Sequence, residues 1–294
     1  MTLTDEVRAS AERIAAQARS VRIDLDAIAE IQPAEPTQLD PRRHYLEGNP
    51  ADVADYMLAL DAINFGSGWF PTLRKRSSEG IPLSGYFTVS WALADHVRAE
   101  GPPTSMWLAG VSTTEIAEIL GQRADHELMS LYAQALRSLG RFLAGRRALD
   151  LVEESRGSAE RLAETLARGM AMFDDRGFYK RAQIVPNDLT LAGVAEFADL
   201  DRLTIFADNL VPHVLRCDGV LVYSDELARQ IDSGAKLESG GAEREIRACA
   251  IHACELISKR AGMPARTIDT WLWTRGQAPE YKARPRHRCR TVFY

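Results

Sequence analysis

The chain has 294 residues and a net charge of −5, and 46% of its residues are hydrophobic against 26% charged. That length and composition are typical of a globular protein with one large domain or two closely associated ones. The acidic balance argues against a protein that holds a long stretch of nucleic acid, and no apolar run approaches the roughly 20 residues that span a bilayer.

The N-terminal region forms an amphipathic pattern that contains acids and lacks the apolar core of a signal peptide, so a cytoplasmic location is expected. The four cysteines form no CxxC pair, and the six histidines show neither HExxH nor HxH spacing. We therefore expect buried reduced thiols, no metal site and no cofactor.

Helical periodicity runs through almost the whole chain. Predicted helices cover residues 3–20, 24–31, 51–63, 84–99, 112–120, 125–150, 157–172, 199–207, 224–231, 242–261 and 267–273. Residues 178–185 are the best strand candidate, and residues 212–221 indicate a helix, a tight turn and a second element. The pattern predicts a mostly α-helical single domain over residues 1–294 with at most a few short strands. Residues 1–40 are expected to form an N-terminal helical extension packed on it.

One acid stands in an unusually apolar stretch, because Asp208 follows the residues LTIFA and precedes NLVP. A lone aspartate often caps a helix or pairs with a cation. These flanks instead place the carboxylate in an apolar wall, where it needs a paired charge or hydrogen-bond donors. Lys180, in the aromatic-rich segment FYKRAQ, is a plausible partner. A carboxylate held in this way can stabilise an oxocarbenium-like centre or activate water, which glycosidic-bond cleavage requires.

Two further acids precede Asp208 in the same predicted helix. On a continuous helix only Asp201 shares the face of Asp208. Asp199 points at the same cleft if the helix begins near it, or it serves as the N-cap, and the spacing leaves both interpretations open.

A loop rich in glycine and aromatic residues spans Asn64 to Pro71. Its three aromatic side chains either fill the core or form a flat slot for a planar heterocycle. In the second interpretation, Asn64 offers both a donor and an acceptor to the edge of a base.

Eight segments together resemble the queuosine salvage protein family, the queuosine 5′-phosphate N-glycosylases. They run collinearly from residue 61 to residue 294. The segments are DAINFGSGWF (61–70), SGYFTVSWAL (84–93), FYKRAQI (178–184), DLDRLTIFADNLVPHVL (199–215), GVLVYSDEL (219–227), EREIRACAIHACELI (243–257), IDTWLW (268–273) and HRCRTVFY (287–294). Agreement over so many segments is more specific than one short motif.

The resemblance implies an all-α fold similar to the helix-hairpin-helix DNA glycosylases. It implies hydrolysis of the N-glycosidic bond of queuosine 5′-monophosphate, which gives queuine, a 7-deazaguanine base used for tRNA modification, and ribose 5-phosphate. It implies no stable nucleic-acid partner and no membrane partner. Two alternatives stay open, a DNA or tRNA base glycosylase that acts on polymer and a non-catalytic queuine- or nucleotide-binding protein.

The resemblance also implies catalytic roles for three residues. Asp208 matches the aspartate of the family's FAD segment, Lys180 matches the lysine of its YKRAQ segment, and Asp199 matches an acid that opens the helix before the FAD segment. Asn209 and Leu210 stand where Tyr-Arg is frequent in relatives, so any role of that pair is absent here or supplied elsewhere.

Substrate-binding roles are implied for five further residues. Asn64, Phe65 and Trp69 fall in the family's NF-x-W-type segment, and Tyr179 is a further candidate to line the base cleft. Arg181, or the basic tail at residues 286–290, is the candidate to hold the 5′-phosphate through charge-assisted hydrogen bonds.

Overall fold

Local capping signals set where several helices begin. In the computed structural model, which describes residues 2–35 and 38–294, Thr2 and Asp5 form a reciprocal capping box at the first helix. Ser112 and Glu115 form the capping box that their spacing predicts. The helices of the described residues are α1 (Leu3–Gln17), α2 (Leu25–Glu30), α3 (Pro50–Ala62), α4 (Gly85–Glu100), α5 (Ser105–Gly110), α6 (Thr113–Ile119), α7 (Glu127–Leu143), α8 (Ala148–Glu154), α9 (Ala159–Gly169), α10 (Lys180–Leu191), α11 (Val211–Cys217), α12 (Asp225–Asp232), α13 (Gly241–Ala261), α14 (Ala265–Arg275) and α15 (Pro279–Lys282).

The described residues contain four short strands in two antiparallel pairs. They are β1 (Val21–Ile23), β2 (Ser77–Ser78), β3 (Ile81–Pro82) and β4 (Leu221–Tyr223). β1 pairs with β4, with Val21 opposite Tyr223, and β2 pairs with β3 in a hairpin. The prediction of a mostly α-helical protein with a few short strands is therefore confirmed.

Helix α13 lies at the centre of the C-terminal half and packs against α1, α11, α14 and β1. Its buried face carries small and β-branched residues that let neighbouring helices approach closely. One hydrophobic core connects residues from Leu3 to Tyr281. The single-domain organisation stays a prediction, which this continuous core supports. No helix of the described ranges is long and apolar enough to cross a membrane.

The predicted strand at residues 178–185 is wrong. Tyr179 adopts a left-handed backbone conformation with φ of +50°, and α10 begins at the next residue, Lys180. The segment is rich in the aromatic and β-branched residues that favour strands, but no neighbouring strand is available to pair with it. Helix packing therefore outweighs the local preference.

Two predicted helices also have different bounds. The helix expected at 125–150 is divided into α7 and α8, because Ala144 and Gly145 both have positive φ. The helix expected at 199–207 is only a 3-10 turn at Leu200–Arg202. Residues beyond that turn are extended because side chains accept their amide protons. The amide of Thr204 donates to Gln183 Oε1 at 3.0 Å, and that of Phe206 donates to Asp269 Oδ1 at 2.8 Å.

Candidate active site

A cavity of about 650 Å³ opens where α4, α10 and α14 meet the loop that follows α3 and the segment that precedes α11. It has an acidic side, an aromatic wall and a basic side. Four of the predicted site residues line it, namely Asn64, Phe65, Lys180 and Asp208. Its volume is within the range of pockets that hold small molecules.

One face of helix α10 forms the floor of the cavity. Lys180, Ile184, Asn187, Asp188 and Leu191 line it, at the three- and four-residue spacing that places side chains on one side of a helix. The polar members of this face are buried, with Lys180 4% exposed and Asp188 6% exposed. Polar groups held this deep need partners, and the surrounding charges supply them.

A buried arginine holds the segments that carry Lys180 and Asp208. Arg247 of α13 pairs with Asp175 at 2.5 Å and donates from Nε to the carbonyl oxygen of Ala207 at 2.9 Å. Asp175 also accepts from the amide of Lys180 at 3.5 Å. The guanidinium therefore connects the start of α10 with the residue directly before Asp208.

The Asp208 carboxylate is fixed through one oxygen. Its Oδ1 accepts from the amides of Leu210 at 2.6 Å and Val211 at 3.2 Å, at the start of α11. Oδ2 accepts no hydrogen bond from any described donor, and the residue is half-buried at the cavity wall. Backbone amides at the start of a helix are favourable partners for a carboxylate, so they hold the Asp208 side chain at the cavity wall.

Lys180 lies among several carboxyl groups. Its Nζ donates to the carbonyl oxygen of Asn64 at 3.0 Å. Burial lowers the pKa of Lys180, and the negative charges of Asp208, Asp61 and Asp188 oppose that shift. The ammonium is therefore the positive centre that allows acids to gather beneath the cavity.

Two of these acids come from neighbouring helices and are adjacent. Asp61 of α3 is fully buried, and burial followed by the charge of Asp188 raises its pKa well above the usual range. Burial raises the pKa of Asp188 to about 6, and Lys180 opposes this shift. Two adjacent carboxyl groups do not both ionise in such a place, so the pair holds one proton at neutral pH.

A third acid lies on α14. Asp269 is 6% exposed and lines the cavity. Burial, with the nearby charge of Asp208, raises the pKa of Asp269 to about 8, while the hydrogen bond from the Phe206 amide lowers it. Asp269 is therefore mostly neutral at pH 7 when the cavity is empty, and a bound cation would favour its ionised form.

Aromatic rings form the opposite wall. The ring of Trp273 meets Tyr86 edge-on at 5.4 Å and Phe87 at 5.3 Å. Phe70 and Phe206 also line the cavity. Phe70 reaches its place because residue 85 is glycine, where a Cβ would lie 2.2 Å from the Phe70 ring. The wall offers flat apolar surface suited to a planar heterocycle.

The placement of Asp199 corrects the expectation that it shares this cleft. Its carboxylate accepts from the Ser158 hydroxyl and the Ala159 amide, both at 2.6 Å, and it is not among the residues that line the cavity. Asp199 therefore caps α9 from a distant segment. The position of an acid along the chain could not reveal this, because the capped helix starts 40 residues earlier.

Three predicted substrate-binding residues also point elsewhere. Trp69 donates from Nε1 to Glu127 at 2.8 Å, and the hydroxyl of Tyr179 donates to Glu6 at 3.0 Å. Arg181 is 1% exposed and donates to the backbone carbonyls of Ala62, Met172 and Val292. None of the three lines the cavity. Their hydrogen bonds hold these side chains against other parts of the fold and away from the cavity.

Sequence reasoning missed most of the acidic and aromatic lining. Asp61 and Asp188 each interrupt an apolar helical pattern, which is the only local sign that they are special. Asp269 and Trp273 lie in the segment IDTWLW, four residues apart on one face of α14. A buried acid in an apolar helix is the pattern that would have identified all three aspartates.

The chain matches a family model described as Queuosine salvage protein over residues 43–294. A protein of Sphaerobacter thermophilus, named Queuosine 5'-phosphate N-glycosylase/hydrolase, is 33% identical, with 98% of this chain and 97% of that protein aligned. Proteins of the same name from Mus musculus and Dictyostelium discoideum are 28% and 39% identical, with 98% and 40% of both chains covered, respectively. With its cavity of acids, aromatic rings and one buried lysine, this chain belongs to the queuosine salvage protein family.

Proposed function

We propose that this protein hydrolyses the N-glycosidic bond of queuosine 5′-monophosphate and releases queuine and ribose 5-phosphate. The observation that carries the proposal is the Asp208 carboxylate, which lines the cavity and is fixed through one oxygen, while the other oxygen has no described donor. The names of the relatives give the substrate. The released queuine is available for salvage into tRNA, and a cytoplasmic location suits this role.

In this proposal the 7-deazaguanine ring lies against the aromatic wall formed by Phe206 and Trp273. The side arm of queuine carries a protonated amine, which suits a cavity with several carboxyl groups. Asp269 and Asp188 are the acids of the cavity that a cation would convert to their charged forms. Asn64 offers donor and acceptor atoms to the polar edge of the base.

Bond cleavage leaves positive charge on the ribose. The C1′–N9 bond breaks, the bonding electrons leave with the base, and the hydroxyl of a water molecule binds C1′ while its proton is transferred to the base. A 7-deazaguanine has carbon at position 7, so it lacks the ring nitrogen that other purines present there for protonation. Stabilisation therefore falls on the sugar, and Asp208 stabilises the cationic C1′ and orients the water.

Lys180 is the second catalytic residue of the proposal. It contacts Asn64 and balances the charges of Asp208 and Asp188, so the site carries a defined charge before substrate arrives. A preorganised charge distribution requires little rearrangement when the transition state forms.

Three cations of the two basic runs already have acidic partners. Arg76 pairs with Asp95, Arg284 with Asp232 and Arg290 with Glu127, each within 3.3 Å. Cations that are neutralised in this way release few counterions from a nucleic acid. These pairs favour a single nucleotide over tRNA or DNA as the substrate.

The proposal is tested by incubating the protein with queuosine 5′-monophosphate and measuring queuine and ribose 5-phosphate by mass spectrometry. We expect equimolar products. A folded protein that binds the nucleotide without forming queuine is a binding protein, and release of queuine from intact tRNA at a comparable rate favours a polymer glycosylase.

A further inference from the structure

Two half-buried cations from distant segments lie on the basic side of the cavity, which Arg43, His44, Lys282 and Arg288 also line. Lys75 precedes β2, and its Nζ lies 5.4 Å from the centre of the Phe70 ring. Arg286 lies in the tail that follows α15. Both residues are half-buried and line the same cavity as Asp208.

These two cations lack the partners that their neighbours have. Within residues 2–35 and 38–294, neither Lys75 nor Arg286 forms an ion pair, although Arg76 and Arg284 do. Burial, with the like charge of Arg286, lowers the pKa of Lys75 to about 8. Burial also lowers the pKa of Arg286, and Asp208 opposes that shift. Adjacent like charges removed from water are unfavourable unless an anion joins them.

The charged groups that act on Lys75 and Arg286 relate the two cations to Asp208. Asp208 acts on Arg286, and Arg286 acts on Lys75. All three side chains line the same cavity, and Arg286 is the cation that the charge of Asp208 affects. A 5′-nucleotide suits this arrangement, because its ribose separates C1′ from the phosphate.

We infer that Lys75 and Arg286 form the subsite for the 5′-phosphate of the substrate. This inference rests on the proposed function and assigns residues to it. Arg286 offers the planar donor pair that binds two oxygens of a phosphomonoester, and Lys75 adds a point charge. Of the two candidates proposed from the sequence, Arg181 directs both of its Nη atoms to backbone carbonyls, whereas Arg286 belongs to the basic tail at residues 286–290 and lines the cavity.

The pair also determines which substrate the enzyme prefers. A 5′-nucleotide brings a dianion that joins the two cations, whereas the nucleoside leaves both of them half-buried and unpaired. Preference for the nucleotide thus arises at Lys75 and Arg286 and is independent of how the base is recognised.

The test compares Lys75→Gln and Arg286→Gln with the native protein in phosphate-free buffer. We expect each substitution to lower kcat/KM for queuosine 5′-monophosphate by about 10- to 100-fold, the effect of losing one charge-assisted contact. The kcat/KM for the nucleoside queuosine should change by less than about 3-fold. Arg284→Gln is the matched control, since Arg284 lies in the same tail but pairs with Asp232, and it should leave both substrates unchanged.

Equal losses on nucleotide and nucleoside, or no loss on the nucleotide, would overturn the assignment. A second measurement needs no turnover. Calorimetric titration with ribose 5-phosphate should show binding to the native protein that Lys75→Gln weakens by about 10-fold or more. Ribose should bind both proteins equally. If ribose 5-phosphate binds the native protein and Lys75→Gln with the same affinity, the assignment of the phosphate subsite is wrong. If the two proteins differ in affinity but the native protein releases no queuine, only the proposed function is contradicted.

Discussion

Replacement of Asp208 by asparagine removes one charge and keeps the shape of the side chain. The amide oxygen of Asp208→Asn can still accept from the amides of Leu210 and Val211, which bind Oδ1 at 2.6 and 3.2 Å. The start of α11 is therefore preserved. What changes is the group at the second position, which becomes a neutral NH₂ at the cavity wall.

The expected loss of rate follows from the charge interaction. A carboxylate about 4 Å from a developing unit charge, at an effective dielectric constant of about 20, contributes about 4 kcal/mol. Such a loss corresponds to a decrease in kcat of about 1,000-fold. The effect on folding should be small, because a charge at a helix N-terminus contributes about 0.3–1 kcal/mol and its removal also relieves repulsion with Asp269.

The assay measures queuine release from queuosine 5′-monophosphate in single turnover, together with the melting temperature. Asp199→Asn is the matched control, because Asp199 caps α9 and lies outside the cavity. It should lower the free energy of unfolding by about 1 kcal/mol and leave kcat close to native. A kcat of Asp208→Asn within 10-fold of native, or an equal loss in Asp199→Asn, would refute the assignment of Asp208 as the catalytic carboxylate.

Three further expectations concern Asp269, Lys180 and Gly85. The pKa of Asp269 is about 8, compared with an ordinary value of 3.8. Between these two pH values the folded protein keeps a proton on this carboxyl that the unfolded chain has lost. The free energy of unfolding therefore decreases as the pH rises through this range. Asp269→Asn should therefore raise the melting temperature more at pH 8 than at pH 5, and an equal change at both would contradict the shift. Lys180→Met removes the positive charge among the acids, which should raise the pKa values of the neighbouring carboxyl groups. The acid limb of the pH profile of kcat/KM should therefore move to higher pH. An unchanged acid limb would show that Lys180 does not set the carboxyl pKa values. Gly85→Ala places a Cβ 2.2 Å from the Phe70 ring and should raise KM while lowering the free energy of unfolding by about 1–3 kcal/mol. Gly110→Ala, in helix α5 with open space around its Cβ, should leave KM unchanged and should not lower the free energy of unfolding.

The helices, and the presence of Asp208 and Lys180 at one cavity, could be predicted because their signs are local. Capping at Ser112 and the apolar periodicity of residues 242–261 depend on neighbours three or four positions away, and both predicted helices form. Asp208 stands out for a similar reason, since its flanking residues are apolar on both sides. The structure places it beside the cavity with Lys180, where its catalytic role stays a prediction.

The rest of the site depends on contacts between distant helices. Asp61 and Asp188 become neighbours only because α3 packs against α10. Asp199 and Arg181 fail as site residues for the same reason, because a distant helix N-terminus and distant carbonyls take their polar atoms. Periodicity reports which face of a helix is buried but does not report which other helix covers it.

The hydrogen bond from Lys180 to the carbonyl of Asn64 joins residues 116 positions apart, and its consequence concerns the order of folding. A contact between residues so far apart closes a long loop of the chain. The conformational entropy of that loop is lost before the contact can stabilise the folded state. Helices, by contrast, form within microseconds from local interactions. We therefore expect Lys180 to reach its place late in folding, after most helical structure exists. Recovery of helix content in a refolding chain precedes recovery of catalysis, and the interval between them is the time needed to dock α10 on α3.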